Sequence, residues 1–390
     1  MEVKPGLRRE ILKFDIAGGG FCWGLNLDDT SGYAGLPAPK SVVIPYLLSV
    51  RAREGRFTHP MSHGETRDGD HEGPSRTRTA EGGSVRGARR PSELLASSLK
   101  RHGAGFVRCW FPWNFFEPSV APRRSAMDGR GPSYDRFPSD DLVSEVDGAG
   151  IGIVGAIGTG YSRFLPAGLG TDNLDEYVKR LAASSAQIVR HYKDKVRVWQ
   201  IENEPNWWKQ HYLAQWRRGI VWLDARKQEA ILRALYDVVR AEAPEATIII
   251  NLQAENGRTD WKSYAEYCDV IGLDFYPNYS HSSPIDASAL TRTSTRVRKE
   301  TGLPVVISET GYPTGPRLLG FSEEKQAKYI RSACEEAFSC DAIRGLSWFK
   351  FSDSYWNSFP YHENHFGLLR KEGNPKLGWD EYARQTRRMR

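Results

Sequence analysis

Eight times along the chain, a short and almost wholly apolar run gives way to a stretch of helical character. The runs are FCWGLNL (21–27), FVRCW (106–110), GIVGAI (152–157), VRVWQI (196–201), TIIINL (247–252), VIGLDF (270–275), VVIS (305–308) and GLSWFKF (345–351). Strands that are apolar on both sides must be covered on both sides, which is the condition of a parallel sheet flanked by helices. Helices are expected at 92–102, 139–148, 174–192, 225–242, 261–268, 288–301 and 322–338, with a last one from about Lys376. Their ends carry suitable punctuation: Ser92 as a cap, Gly103 and Gly302 just past two C-termini, and Pro244 after a third. Eight such units in 390 residues predict an α/β fold, a single (β/α)8 TIM barrel spanning 1–390. The competing arrangement, a doubly wound open sheet, needs a glycine-rich phosphate turn after a strand. The Gly18-Gly19-Gly20 run precedes the first strand and suits a turn better than a phosphate cradle.

One segment breaks the alternation. Residues 51–90 hold nine Arg, no Lys, six acids and seven Gly, and only Phe57, Met61 and Val85 are large and apolar. Such a stretch buries too little surface to offset its ordering entropy, so a long mobile loop insertion after the first strand is expected. His59, His63 and His71 lie within it. No acidic or cysteine spacing completes a metal cage around them, so they read as solvated loop histidines. This segment and the four Arg of 384–390 account for the net charge of +6 and leave the body close to neutral. A nucleic-acid partner, which needs basic residues spread over a folded face, is therefore not expected. A membrane partner is not expected either, because no run of about 18 apolar residues occurs. The charged start, 1–14, lacks the apolar core of a secretory signal. The five cysteines (Cys22, Cys109, Cys268, Cys334, Cys340) are odd in number and form no CxxC pair. They read as free thiols of a reducing compartment, three of them as small core residues, and the chain is expected to be cytoplasmic. The oligomeric state is left open.

In such a barrel, functional side chains stand at the C-terminal ends of the strands. Strand 4 runs into WQIENEPNWW, which brings Glu202, Asn203, Glu204 and Pro205 to the rim. Strand 7 runs into VVISETGYP and brings Glu309 there. Strand 2 carries Arg108, strand 6 leads to Asp274, Tyr276 and Pro277, and strand 8 contains Trp348, followed by Asp353 and Tyr355. Two carboxylates across a barrel mouth are what cleavage of a glycosidic bond needs: one protonated to release the leaving oxygen, one ionised to attack the sugar carbon. Apolar faces of sugar rings stack on aromatic side chains, and Trp113, Trp207, Trp208, Trp348 and Trp356 lie at or just after strand ends. Each residue also has an ordinary reading: a Glu as a solvated loop residue, Arg108 as the partner of a surface acid, a Trp as core. Coincidence favours the functional one, because Glu204, Glu309, Arg108, Tyr276 and Trp348 belong to five different strands.

WQIENEPN and VVISETGYP resemble the strand 4 and strand 7 motifs of glycoside hydrolase clan A, retaining glycosidases built on (β/α)8 barrels. The likeness runs from FCWGLNL to the closing HFGLLRKEGNPKLGW. It implies that Glu204 is the acid/base and Glu309 the nucleophile. It further implies that Arg108 holds Glu309, Asn203 binds the sugar 2-hydroxyl, Tyr276 touches the nucleophile and Trp348 floors the reacting sugar. Strand 4 is most similar to families 5 and 39 of the clan. CDVIGLDFYPNYS with ISETGYPTG is closer to the endo-galactanases of family 53, and SETGYP to the β-1,3-glucanases of family 17. Strict alternation would put Glu202 on the same side as Glu204 but deeper, so Glu204 is the expected acid/base. The activity so implied is hydrolysis of β-glycosidic bonds of an oligo- or polysaccharide by double displacement, with no metal or organic cofactor. Two alternatives accompany it: a transglycosidase using the same residues, and a carbohydrate-binding barrel without turnover. The second gives no reason for both Glu to be present.

Overall fold

Eight parallel strands pair in chain order and the last closes on the first. They are β1 (Cys22–Asn26), β2 (Phe106–Trp110), β3 (Gly152–Ile157), β4 (Val198–Ile201), β5 (Thr247–Gln253), β6 (Val270–Phe275), β7 (Val305–Thr310) and β8 (Ile343–Trp348). The helices among the described residues are α1 (Pro91–Arg101), α2 (Asp140–Gly148), α3 (Leu174–Tyr192), α4 (Ala225–Glu242), α5 (Trp261–Ala265), α6 (Ser288–Thr301), α7 (Glu323–Ser339) and α8 (Leu377–Arg388). Among the described residues one helix occupies each crossover and the last follows β8, so the fold is the TIM barrel expected from the alternation. The computed structural model describes residues 22–26, 91–111, 113, 139–158, 173–206, 225–255, 259–279, 282, 285–353, 361–371 and 373–388. The 51–90 segment, Trp207, Trp208, Tyr355 and Trp356 lie outside the described residues. No helix among the described residues is long and apolar enough to cross a membrane.

Local chemistry explains the helices. In α3, Tyr177, Leu181, Ser184, Ser185, Ile188, Val189 and Tyr192 are buried at three- and four-residue intervals, the period of a helix laid on a sheet. Its cap is Asn173, whose side chain accepts the Glu176 N–H at 3.1 Å. Acids in its first turn and bases in its last complement the helix dipole. At the end of α6, Gly302 takes the left-handed conformation, φ +74°, that a side chain would oppose.

The barrel interior is built in layers. Phe106, Val154, Val198, Ile249 and Val270, with Val306 packed against them, form an apolar cluster separate from the main core. Two residues further along, the same side of the strands carries Arg108, Ala156, Gln200, Asn251, Gly272 and Ser308. A polar layer thus stands on an apolar plug, and such a layer must bond internally to offset its desolvation. Alternating residues, among them Val107, Trp199, Ile250, Ile271 and Ile307, belong to the larger core beneath the helices.

Strand β7 departs from alternation. Its register against β6 runs Leu273↔Ile307 and then Asp274↔Glu309, so Ser308 is an extra residue. Ser308 points inward, its hydroxyl donating to Asp274 Oδ1 at 2.6 Å. Glu309, its neighbour, points to the interior as well, while Thr310 meets the Tyr329 hydroxyl of α7 at 2.7 Å. The strand therefore continues two residues past the 305–308 run. Strand β8 stops at Trp348, before the expected end at 351, because the carbonyls of Lys350 and Phe351 accept bonds from Leu368 and Leu369 instead. Cys109, Cys268, Cys334 and Cys340 are buried free thiols.

Candidate active site

Arg108 is the centre of the polar layer. It is 1% exposed, and each end of its guanidinium has an acceptor. Nη1 donates to Glu309 Oε1 at 2.8 Å, Nη2 to Asn203 Oδ1 at 2.8 Å and Nε to Gln200 Oε1 at 2.5 Å. The Trp110 ring lies 5.8 Å from the guanidinium carbon. A buried cation is tolerated where a carboxylate and polar acceptors surround it, and here strands 2, 4 and 7 supply them.

Glu309 is held at both oxygens. Arg108 takes Oε1, and the Tyr276 hydroxyl donates to Oε2 at 2.6 Å. Burial, followed by the negative charge of Glu309, holds the Tyr276 phenol well above its ordinary pKa, so it stays a donor. The Tyr276 N–H donates in turn to Glu255 Oε1 at 2.6 Å.

Beyond Ile201 the chain leaves strand geometry. Glu202 and Glu204 both have positive φ, 57° and 42°, unusual for side-chain-bearing residues. The alternation argument that placed both on one side therefore does not apply. Glu202 is wholly buried, and its carboxylate lies against Gly158 at the end of β3. A Cβ at Gly158, where φ is +135°, would stand 2.5 Å from Glu202 Oε1. Glu204 retains 8% exposure. The charges of Glu204 and Glu309 both raise the Tyr276 phenol and the Asp274 carboxyl, so both carboxyls lie within electrostatic range of these two groups. Asp274 is raised well above the ordinary carboxylate range, chiefly by burial and then by Glu309 and Glu204.

Two aromatic assignments are corrected. Trp348 is 1% exposed and faces the helices, 6.0 Å from the Tyr329 ring, with its indole N–H directed to the Phe366 carbonyl. It offers no face to a sugar. The half-buried Phe349, one residue on, meets Tyr276 edge-to-face at 5.9 Å and is the aromatic of this strand end beside the site. Trp113 is a core residue, 1% exposed and edge-on to Tyr177 of α3. Trp207 lies outside the described residues. Asp353 serves the fold, paired with the buried Lys376 at 2.6 Å.

Gln200, Asn251 and Ser308 were missed as site residues. Gln200 Nε2 donates to the Glu202 carbonyl at 2.6 Å and to Asn251 Oδ1 at 2.7 Å. Asn251 Nδ2 donates to Asn203 Oδ1 at 2.6 Å and to Asp274 Oδ2 at 2.5 Å. The available signal was an amide residue inside an apolar run, Gln in VWQI and Asn in IIINL. Among the described residues, no group of three or more His, Cys, Asp or Glu could hold a metal ion.

The fold is shared with glycoside hydrolases of known structure. GH5_18 from Streptomyces cattleya, solved in complex with GlcNAc, superposes over 77% of this chain and 74% of its own, with a TM-score of 0.62 at 16% identity. A family 39 glycoside hydrolase from the gut symbiont Bacteroides cellulosilyticus WH2 matches over 76% of this chain and 60% of its own, with a TM-score of 0.51 at 18% identity. A GH2 beta-galacturonidase from Eisenbergiella tayi, bound to glycerol, matches 76% of this chain with a TM-score of 0.52 at 17% identity. The match covers about half the length of the two GH2 beta-galacturonidase structures, 46% and 47%. Families 5 and 39, singled out from strand 4, are thus both among the neighbours in fold. No protein-family model and no curated protein sequence matches the chain.

Proposed function

We propose that the chain is a retaining glycoside hydrolase acting on a β-linked carbohydrate. The observation that carries this reading is the restraint on Glu309: a guanidinium on one oxygen and a phenol on the other, with a second carboxylate, Glu204, just past strand 4 and within electrostatic range of the same phenol. An ion pair and a hydrogen bond hold such a carboxylate in place and aim it, which is what a nucleophile at a sugar carbon requires. The shared barrel, found in enzymes of three glycoside hydrolase families, supports the reaction class.

In the first step Glu309 attacks the anomeric carbon. The bond from that carbon to the glycosidic oxygen breaks, and Glu204 gives its proton to the departing oxygen. In the second step Glu204 takes a proton from water, the water oxygen bonds to the anomeric carbon, and the Glu309 ester bond breaks. Arg108 and Tyr276 stabilise the carboxylate that leaves. Asn203, its carbonyl oxygen turned to Arg108, directs its amide nitrogen away from the guanidinium, which suits a sugar hydroxyl. Phe349 replaces Trp348 as the aromatic of strand 8 beside the reacting sugar.

A panel of 4-nitrophenyl β-glycosides tests the proposal. The wild-type chain should cleave at least one, Glu309→Gly should not, and azide or formate should restore part of the lost turnover. Proton magnetic resonance should show the first-formed sugar with its anomeric configuration retained. Full activity in Glu309→Gly, or an inverted first product, would remove the mechanism. Sugar binding without turnover on every glycoside would favour the binding barrel.

A further inference from the structure

We infer that Asn251, in the middle of β5, is a positioning residue that sets the Glu204 backbone and the Asn203 side chain together. The inference rests on the acid/base role proposed for Glu204.

The chemistry of the donors dictates the orientation of every amide in the layer. Arg108 has only donors, so Gln200 must turn Oε1 and Asn203 must turn Oδ1 toward it. Gln200 therefore points its NH2 at Asn251, whose Oδ1 accepts it at 2.7 Å. Asn251 then has its own NH2 on the other side, directed at Asp274 Oδ2 and Asn203 Oδ1. Asp274 is anchored in turn by the Ser308 hydroxyl. The relay runs from Arg108 to Ser308 with each amide oxygen meeting a donor, and Asn251, wholly buried, is its middle link.

Asn251 also grips the acid/base loop. The Glu204 N–H lies 3.1 Å from the Asn251 carbonyl oxygen and 3.3 Å from Asn251 Oδ1, a shared hydrogen bond. That amide belongs to a residue in the left-handed region, φ 42°, which persists only when its surroundings impose it. One asparagine thus holds the amide from which the Glu204 side chain starts and donates to the same Asn203 oxygen that Arg108 faces.

The test separates positioning from mere stability. Loss of folded protein lowers turnover of all substrates equally, whereas misplacement of Glu204 hurts only those whose leaving group needs a proton. The readout is the ratio of kcat/KM for the 2,4-dinitrophenyl and phenyl β-glycosides of the sugar that wild type cleaves best. In Asn251→Ala and in the isosteric Asn251→Asp, this ratio should rise at least about tenfold over wild type, as expected when general acid catalysis is lost. An unchanged ratio would overturn the inference. A measurement on the wild-type chain needs no variant to fold. The Glu204 amide should exchange its hydrogen at least about 100-fold more slowly than in an unstructured peptide, because a held amide opens only by local unfolding. Exchange at the unstructured rate would overturn the inference, and it would do so even if the chain cleaved no glycoside.

Discussion

Replacing Arg108 by Met retains an unbranched side chain in the barrel, shorter by the guanidinium, and removes all five N–H donors. Glu309 loses an ion pair at 2.8 Å while keeping only 8% exposure, so its charge stays buried without the cation. Removing one partner of a buried pair costs about 3–5 kcal/mol. Asn203 Oδ1 has other donors within the layer, Nε2 of Gln200 and Nδ2 of Asn251, and adds less, while Gln200 Oε1 gives up the bond from Arg108 Nε. We therefore expect a loss of about 4 kcal/mol, on the order of a thousandfold in the folded-to-unfolded ratio. The origin of that loss can be isolated. In Glu309→Gln the buried charge is gone, so the same Arg108→Met change should cost at least about 1.5 kcal/mol less than in wild type, within the range seen for contacting pairs. Urea unfolding midpoints of the four proteins, with unchanged slopes, supply the cycle. If the two single losses added to within about 0.5 kcal/mol, Arg108 would not be compensating Glu309 and the account of the site would fail.

Glu204→Ala should reduce cleavage of phenyl β-glycosides by about 10²–10⁴-fold and barely affect the 2,4-dinitrophenyl ones. Equal losses on both would transfer attention to Glu202. Gly158→Ala should cost at least about 1–3 kcal/mol from its φ of +135° alone, with the clash against Glu202 Oε1 in addition. A melting temperature equal to wild type would mean that Glu202 does not pack there. Burial lowers His362 to about 4, so the folded chain disfavours the charged ring. Its unfolded form protonates near the ordinary 6.5, so this contribution is complete above about pH 6.5 and is lost as the pH falls toward 4, by no more than about 3 kcal/mol. Urea midpoints of wild type and His362→Gln should converge as the pH falls through that window, and parallel curves would refute it.

The barrel was legible because strands covered on both sides are almost wholly apolar, a pattern that GIVGAI states plainly and that FVRCW and VIGLDF each break with a single residue. Arg108, Asn203, Glu204, Glu309 and Tyr276 were legible as polar or charged residues at strand ends, and the structure brings Arg108, Asn203, Glu309 and Tyr276 into direct contact. Asn251 was harder, since a lone Asn in an apolar run does not reveal which residues the neighbouring strands set beside it. Alternation alone could not distinguish Trp348 from Phe349, because which of two consecutive residues faces inward depends on where the ladder ends. Trp113 follows strand 2 closely enough to suggest the rim, but its burial against α3 depends on contacts 64 residues away in sequence, at Tyr177. The left-handed turns at Glu202 and Glu204 have no signature in ENEP, because neither is a glycine.

The extra residue in β7 determines which compartment its carboxylate enters. With Ser308 kept and the ladder regular, Glu309 would follow the inward Ser308 and face the helices, and every side chain beyond it would exchange sides. The aim of the carboxylate is therefore a property of the backbone count, independent of which acid stands there. A designer grafting Arg108, Glu204, Tyr276 and Glu309 onto another eight-stranded barrel would have to carry the inserted residue too. The transferable unit is four side chains and one irregular step of main chain, and a graft that copied only the side chains would misdirect the one on β7.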